Sequence, residues 1–349
     1  MKRLALTASC CGIDAHAHYV PPDFPTPGSS AWPRGWPAMA PAPQCGHRHV
    51  MINDKVYRTV SDQCWDPVRR RADMAQMRVA HQVLSPMPEL LAYWLPIEHA
   101  RILLRDMNER LARVVQDDPD RFSGLGAVPL QDVDLAIEEL HYIANVLRLS
   151  GVEIGSNVNG RPIGAPEFDP FFEAAARLGM AVFVHAVKPA GMDRLIGPPA
   201  LEQALAFPGE IGLAAASAIT TNLALRHPAL RLAFSHGGGS LALLIPRLAQ
   251  ACTLFLALRD SVQESPLTQA RRFFYDTLVY DASTLRHLIQ QFGVDRLMLG
   301  TDYPFLIQES DPVGRIDALD LSRADTERLL FGNALAFLGA EPNLLPPDR

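Results

Sequence analysis

Gly12-Ile13-Asp14-Ala15-His16-Ala17-His18 decides how this chain is read. Apolar and small residues run into two histidines spaced i, i+2, and in an extended strand that spacing turns both imidazoles to one face. Two neutral ring nitrogens aimed at one point make half of a metal site. An exposed strand end carrying two histidines would look the same, so the decision falls to the rest of the chain.

On the N-terminal side, Met1 to Cys10 opens with Lys2-Arg3 and an apolar run, like the start of a signal peptide. The run is short and leads directly into the histidine strand, so it reads as the first strand. On the C-terminal side, Tyr19 to Gln44 carries eight prolines together with Trp32 and Trp36. That composition argues against regular helix or sheet, and a long loop in a compact chain is more often functional than idle. His49 to Val60 alternates apolar and polar residues and predicts a small hairpin ending at Lys55-Val56-Tyr57-Arg58. Residues 19–64 are thus expected to form an insertion, or lid, after strand 1.

From Asp66 onward the pattern repeats. Strand-like runs occur at Val79–Leu84, Phe122–Val128, Gly151–Ile154, Met180–Val184, Leu230–Phe234, Phe273–Tyr275 and Arg296–Leu299. Helical stretches separate them, at Pro67–Met77, Glu98–Gln116, Val133–Leu149, Phe168–Leu178, Ile211–Arg226, Leu241–Leu258, Ala282–Phe292 and Ser322–Leu338. With the histidine strand this makes eight strands alternating with eight helices, which predicts an α/β fold, a distorted (β/α)8 TIM barrel forming one domain over residues 1–349. The alternative, a doubly wound open sheet, lacks the Gly-rich phosphate loop after the first strand. Asp66-Pro67 and Asp281-Ala-Ser-Thr mark two helix starts.

Composition is ordinary for a globular protein, with 48% hydrophobic and 20% charged residues, and a net charge of −6 leaves no electrostatic footprint for nucleic acid. The five cysteines show no CxxC spacing, which argues against a disulfide framework or a structural zinc site and fits a reducing cytoplasm. No run of about 18 apolar residues is present to span a bilayer.

In such a barrel the chemistry lies at the C-terminal ends of the strands. His16 and His18 end strand 1, His185 ends strand 5, His236 ends strand 6 in Leu232-Ala-Phe-Ser-His236-Gly-Gly-Gly239, and Asp302 ends strand 8 in Leu297-Met-Leu-Gly-Thr-Asp302. Five side chains of ligand type therefore meet at one rim. Three histidines and a carboxylate suit one zinc or another borderline divalent ion, which lowers the pKa of a bound water to about 7. The surplus residue, His236, is the candidate acid/base, because the glycines after it let backbone and substrate approach closely. Asp302 is placed in the catalytic set as well as among the ligands. Strand 4 offers Glu153-Ile-Gly-Ser-Asn157 where a two-metal site usually needs a bridging group, with Glu153 expected one turn lower, so one metal is predicted. The second HxH, His47-Arg-His49, has no strand framework beneath it and is expected to be a decoy.

With these residues assembled, the chain resembles the amidohydrolase superfamily. More closely it is similar to the metal-dependent decarboxylase branch typified by the 2-amino-3-carboxymuconate-6-semialdehyde decarboxylases. The resemblance spans nearly the whole chain and rests on His16-Ala-His18, Lys55-Val-Tyr-Arg58, Cys64-Trp-Asp-Pro67, Gly151-Val-Glu-Ile-Gly155, His236-Gly-Gly-Gly239, Arg247, Gly300-Thr-Asp-Tyr-Pro-Phe305 and Gly332-Asn-Ala-Leu-Ala-Phe-Leu338. It implies zinc on His16, His18, His185 and Asp302 with His236 as acid/base. It also implies that Arg58 holds a substrate carboxylate and that Arg247 reaches into the partner's pocket of a homodimer. Two guanidinium groups with Phe305 suit a planar substrate bearing two carboxylates. The chain departs from the branch at His185-Ala-Val-Lys188, where His-Pro-Trp-Asp is usual, and has Ala200 and Gln203 where tryptophans are expected. The pocket wall has therefore changed, and Lys188 is a candidate for a further acidic group.

Non-oxidative decarboxylation of a small unsaturated or aromatic mono- or dicarboxylic acid is accordingly expected. The competing chemistry is hydrolysis or hydration of a related acid, lactone or amide by the same metal, since one barrel supports many reactions. A metal- or ligand-binding protein without catalysis is the third possibility.

Overall fold

The computed structural model describes residues 2–7, 11–27, 32–198 and 200–345. Eight parallel strands, β1 (Gly12–Tyr19), β2 (Val79–Pro86), β3 (Phe122–Ala127), β4 (Gly151–Gly155), β5 (Ala181–His185), β6 (Arg231–Phe234), β7 (Phe274–Asp276) and β8 (Leu297–Met298), pair in chain order. β8 meets β1 through single contacts rather than a full ladder: Ala15 N–H donates to the Leu299 carbonyl at 2.8 Å and His18 N–H to the Tyr303 carbonyl at 2.7 Å. The sheet is a nearly closed, distorted barrel ringed by helices, as the alternation predicts.

Asp14 ties this seam. Its carboxylate accepts from Thr301 N–H at 3.1 Å, Thr301 Oγ1 at 2.6 Å and Gln82 Nε2 at 3.0 Å, so β1, β2 and the segment after β8 share one buried group. Burial pushes it up to about 6 even though each of these hydrogen bonds favours the charged form. Inside the barrel Ile13, Val83, Leu125, Phe183, Phe274 and Met298 pack together, while a larger apolar layer fills the space between strands and helices. Two helix starts form as their sequences predict. Asp66 accepts from Val68 N–H and Arg69 N–H ahead of Pro67, and Asp281 accepts from Ser283 N–H and Thr284 N–H.

Three expectations need correction. Lys2–Thr7 is a strand but lies outside the barrel, paired in parallel with Ala340–Leu345. Apolar patterning identifies a strand without naming its partner. The proline-rich stretch is not wholly irregular, since Ala38–Pro41 forms the outer strand of a three-stranded antiparallel sheet with His47–Ile52 and Lys55–Ser61. A strand edge tolerates the missing N–H of Pro41. The helix expected over Val133–Leu149 ends its α turns at Tyr142 and widens over Ile143–Leu147, and the one expected over Leu241–Leu258 breaks at Phe255.

His81 on β2 is fully buried, with Nδ1 3.1 Å from the Asp120 carbonyl and Nε2 2.8 Å from Ser123 Oγ. Burial holds its pKa down at about 4, against 6.5 when free. The folded chain thus binds fewer protons here than the unfolded chain. The stability this group contributes is complete above about pH 6.5 and is lost as pH falls through about 4. Urea unfolding of His81→Gln should show a shallower loss of stability across that window, by up to about 3 kcal/mol. An unchanged slope would show that His81 does not stay neutral.

Candidate metal centre and active site

Strand ends deliver the ligand side chains. His16 and His18, two residues apart on β1, are fully buried on one face, and His185 is the last residue of β5. Asp302 lies just beyond β8, fixed by its N–H donating to the His16 carbonyl at 2.9 Å. One nitrogen or oxygen from each of these four residues lies within 4.8 Å of the others. Among the described residues they form the one cluster of His, Cys, Asp and Glu side chains arranged this way.

The hydrogen bonds fix where the ring protons are. His16 Nδ1 lies 2.8 Å from Asp276 Oδ2, His18 Nδ1 3.2 Å from the Pro86 carbonyl, and His185 Nδ1 3.1 Å from the Ala186 carbonyl. Ionised carboxylates and carbonyls only accept, so each Nδ1 carries a proton and each Nε2 is the ring atom turned toward the site. These atoms converge. His16 Nε2 and His18 Nε2 are 3.1 Å apart, Asp302 Oδ1 lies 3.1 Å from the latter and 3.6 Å from the former, and His185 Nε2 is buried without a partner. Atoms this close repel unless a proton or a metal ion lies among them, and this donor set suits a borderline divalent ion. A single divalent-metal site of His16, His18, His185 and Asp302 is present.

Charge follows the same logic. Burial pulls His16 down, but the Asp276 carboxylate, helped by Asp302 and Glu153, overcomes it and leaves the ring raised to about 9. Burial lowers His18, and it lowers His185 well below its ordinary value. Asp302 is held low because His18 and His16 outweigh its burial. Glu153 is fully buried beside His18, Oε2 to Nδ1 3.8 Å, outside the four-residue cluster, and burial pushes it up to about 8.

Asp276 is the group that sequence inspection misses. The strand was expected to end at Tyr275, whereas β7 runs one residue further and presents this carboxylate at the rim. Besides His16, it accepts from His236 N–H at 2.8 Å through Oδ2 and from Gly237 N–H at 2.8 Å through Oδ1. His236 and Asp302 both adopt positive φ, 54° and 62°, which is unusual for non-glycine residues and accumulates at functional sites. The three glycines after His236 are required by geometry: all have positive φ, and a Cβ on Gly239 would lie 1.9 Å from the Pro208 carbonyl oxygen. The His236 ring centroid lies 4.9 Å from that of His185, and burial among the neighbouring charges holds it down at about 4.

A cavity of about 260 Å³ opens onto this centre, and Arg58, Glu89, His185, Gln203, His236 and Asp302 are among the residues lining it. The Phe305 ring stacks on His18 at 5.0 Å between centroids, and the Arg58 guanidinium lies 4.3 Å over Phe305. Lys188 lines an adjoining cavity instead, its Nζ 4.1 Å over the Trp94 ring. Arg247 is exposed on the helix Leu241–Leu254 and does not line its own chain's pocket. His47 and His49 do stand on a strand, His47–Ile52, contrary to expectation, but their Nδ1 atoms face the Cys45 carbonyl and Thr59 Oγ1 and neither belongs to the metal cluster.

The amidohydrolase family profile matches residues 13–340, and the chain belongs to that family. Within it, the chain falls in the metal-dependent decarboxylase branch. It is 36% identical over 334 residues to the 2-amino-3-carboxymuconate-6-semialdehyde decarboxylase of Dictyostelium discoideum, covering 95% of this chain and 92% of that one. Its fold superposes on Metarhizium anisopliae IDCase with a TM-score of 0.80 at 20% identity, over 94% of this chain and 97% of the other. It also superposes on a 5-carboxyvanillate decarboxylase from Novosphingobium aromaticivorans complexed with manganese and 4-hydroxy-3-methoxy-5-nitrobenzoic acid. There the TM-score is 0.70 at 25% identity, over 80% and 82% of the two chains.

Replacing Asp276 by Asn keeps the shape but removes the charge that orients His16 and anchors the turn carrying His236. Metal affinity should fall about 10–100-fold, the usual effect of losing the group that orients a ligand. Metal content after graded dialysis against a chelator measures this, and wild-type retention would contradict the role given to Asp276.

Proposed function

We propose that the ion is zinc and that the substrate is a small unsaturated or aromatic mono- or dicarboxylic acid, held with its anionic groups toward Arg58. The chain is a metal-dependent, non-oxidative decarboxylase, a carbon–carbon lyase acting on a small carboxylic acid. The observation that carries this is the convergence of ligand atoms from three histidines and Asp302 at the mouth of a pocket that also holds an acid/base candidate and a guanidinium.

When bound, the ion supplies Lewis-acid stabilisation of the negative charge that develops as carbon dioxide leaves. Arg58, a planar fork in a half-buried position, orients the substrate's anionic group against Phe305. His236 lines the pocket with its ring 4.9 Å from that of His185, where it can relay a proton taken from solvent to the carbon that loses carbon dioxide. The carbon–carbon bond breaks, its electron pair stays on the substrate, and that proton replaces the departing carbon dioxide. The insertion over residues 19–64 acts as a lid, since it supplies Arg58. Lys188, in the adjoining cavity, is available to an anionic extension of a longer substrate.

A homodimer in which Arg247 serves the partner's pocket is part of the proposal. Its support is the surface around Arg247, where Leu243, Leu244, Leu254, Phe255 and Leu256 are all exposed, an apolar patch of the kind that marks an interface. A cytoplasmic location fits the absence of a disulfide at Cys45, Cys64 and Cys252 and the lack of any described helix long and apolar enough to cross a membrane.

Zinc-loaded protein should release carbon dioxide from at least one member of a panel of hydroxy- and amino-substituted aromatic and unsaturated acids. Turnover with water taken up and no gas evolved would transfer the assignment to hydrolysis or hydration. Metal analysis of protein made without supplementation should find zinc, and manganese in its place would overturn the choice of ion. His236→Ala should retain the metal but lose about 10²–10⁴-fold in kcat. Arg58→Ala and Arg247→Ala, each inactive alone, should recover activity when mixed, because some mixed dimers contain one intact pocket. No recovery after confirmed subunit exchange would contradict a shared site.

A further inference from the structure

The pocket contains a carboxylate that the mechanism does not use. Glu89 sits in a single turn, Pro88–Leu90, just past the C-terminal end of β2, and lines the same cavity as His185, His236 and Asp302. Its Oε1 accepts from Tyr57 Oη at 2.6 Å and lies 3.6 Å from Arg58 Nη2. Its Oε2 is buried and has no hydrogen-bond partner. The side chain is 15% exposed.

Two consequences follow from this geometry. First, the Arg58 charge is already balanced, so that end of the pocket is not a bare cationic receptor. A substrate carboxylate can still use the free N–H groups of Arg58, but a further carboxylate placed against Glu89 would meet like charge in a setting that screens it poorly. Second, a buried carboxylate oxygen without a donor is costly, and the cost disappears when a ligand brings one. Tyr57 and Arg58, the donors nearest the side chain, both face Oε1 and leave Oε2 to whatever enters the cavity.

We propose that Glu89 is a specificity-determining residue: its Oε2 accepts a hydrogen bond from an O–H or N–H substituent of the substrate. The enzyme thereby prefers an acid bearing a donor at that position over the same acid bearing hydrogen or a second carboxylate there. Tyr57 is a positioning residue that holds Oε1 and so aims Oε2. The assignment deepens the decarboxylase function proposed above and rests on it for the kind of molecule concerned, but binding tests it separately from turnover.

The probes are nitrobenzenes, in which a nitro group stands in for the carboxylate that would leave, so the group at the reacting position cannot be lost. Each isomer carrying one hydroxyl or amino group is compared with its unsubstituted parent and its carboxylate counterpart, and Kd for metal-loaded protein is measured by calorimetry. In the wild type, at least one donor isomer should bind about ten-fold or more tighter than the parent, and its carboxylate counterpart more weakly than the parent. Glu89→Leu should abolish the donor advantage and relieve the carboxylate penalty. Glu89→Gln, which keeps the shape and an acceptor oxygen but not the charge, should retain part of the advantage while losing the penalty, and it carries the test if the leucine variant does not fold. Tyr57→Phe should narrow the donor advantage, with metal content unchanged. Equal isomer preferences in wild type and Glu89 variants, or no binding of any probe, would overturn the role of Glu89. A failure of every acid to release carbon dioxide would instead sink the decarboxylase assignment while leaving these affinities to stand.

Discussion

Everything in this molecule answers to the repulsion among three imidazole nitrogens and one carboxylate oxygen held a few ångströms apart in a buried place. Such a group is stable when it shares a positive charge, whether a proton or a metal ion. The raised His16 beside lowered His18 and His185 is what the protein settles on with a proton alone. A divalent ion satisfies all four donors together. The acceptors on the three Nδ1 atoms therefore matter as much as the ligands, because they orient the rings so that every Nε2 faces the site.

Two buried aspartates turn this local requirement into a property of the fold. Asp14 joins β1 and β2 to the segment after β8 and so positions Asp302, two residues from Gly300 and one from Thr301. Asp276 joins β7 to His16 on β1 and to the backbone after β6, where His236 sits. The barrel closes between β8 and β1 by scattered bonds, and these carboxylates reinforce it where the metal is needed. The positive φ values of His236 and Asp302 are held at these same places. Their backbone N–H groups donate to Asp276 and to the His16 carbonyl, which offsets an unfavourable local conformation.

The barrel and its ligands are legible in the sequence because each depends on a local rule. Alternation gives the strands, and His16, His18, His185 and Asp302 stand at or just beyond strand ends, where parallel barrels gather their chemistry. Asp276 and Glu89 obey no such rule. One ends a three-residue strand whose sequence pattern sets it one residue earlier, and the other occupies a lone turn where a glutamate ordinarily reads as solvent-exposed. Lys188, three residues beyond His185, reads from the sequence as part of the pocket wall, but its backbone adopts φ 40° and its side chain lies over Trp94. The N-terminal strand's partner, Ala340–Leu345, lies more than 300 residues away, beyond the reach of any local pattern.

The small antiparallel sheet reaches the ligand cluster through stacked groups. Arg58 belongs to the small antiparallel sheet, yet its guanidinium lies on Phe305, and Phe305 lies on the His18 ring. On that side the ligand sees an aromatic face instead of water, which lowers the local dielectric and strengthens every charge interaction at the ion. Arg58 is thus part of the same stack that covers His18. Covering the ligand cluster on that side is in this way the task of a strand, Lys55–Ser61, that contributes no residue to the cluster.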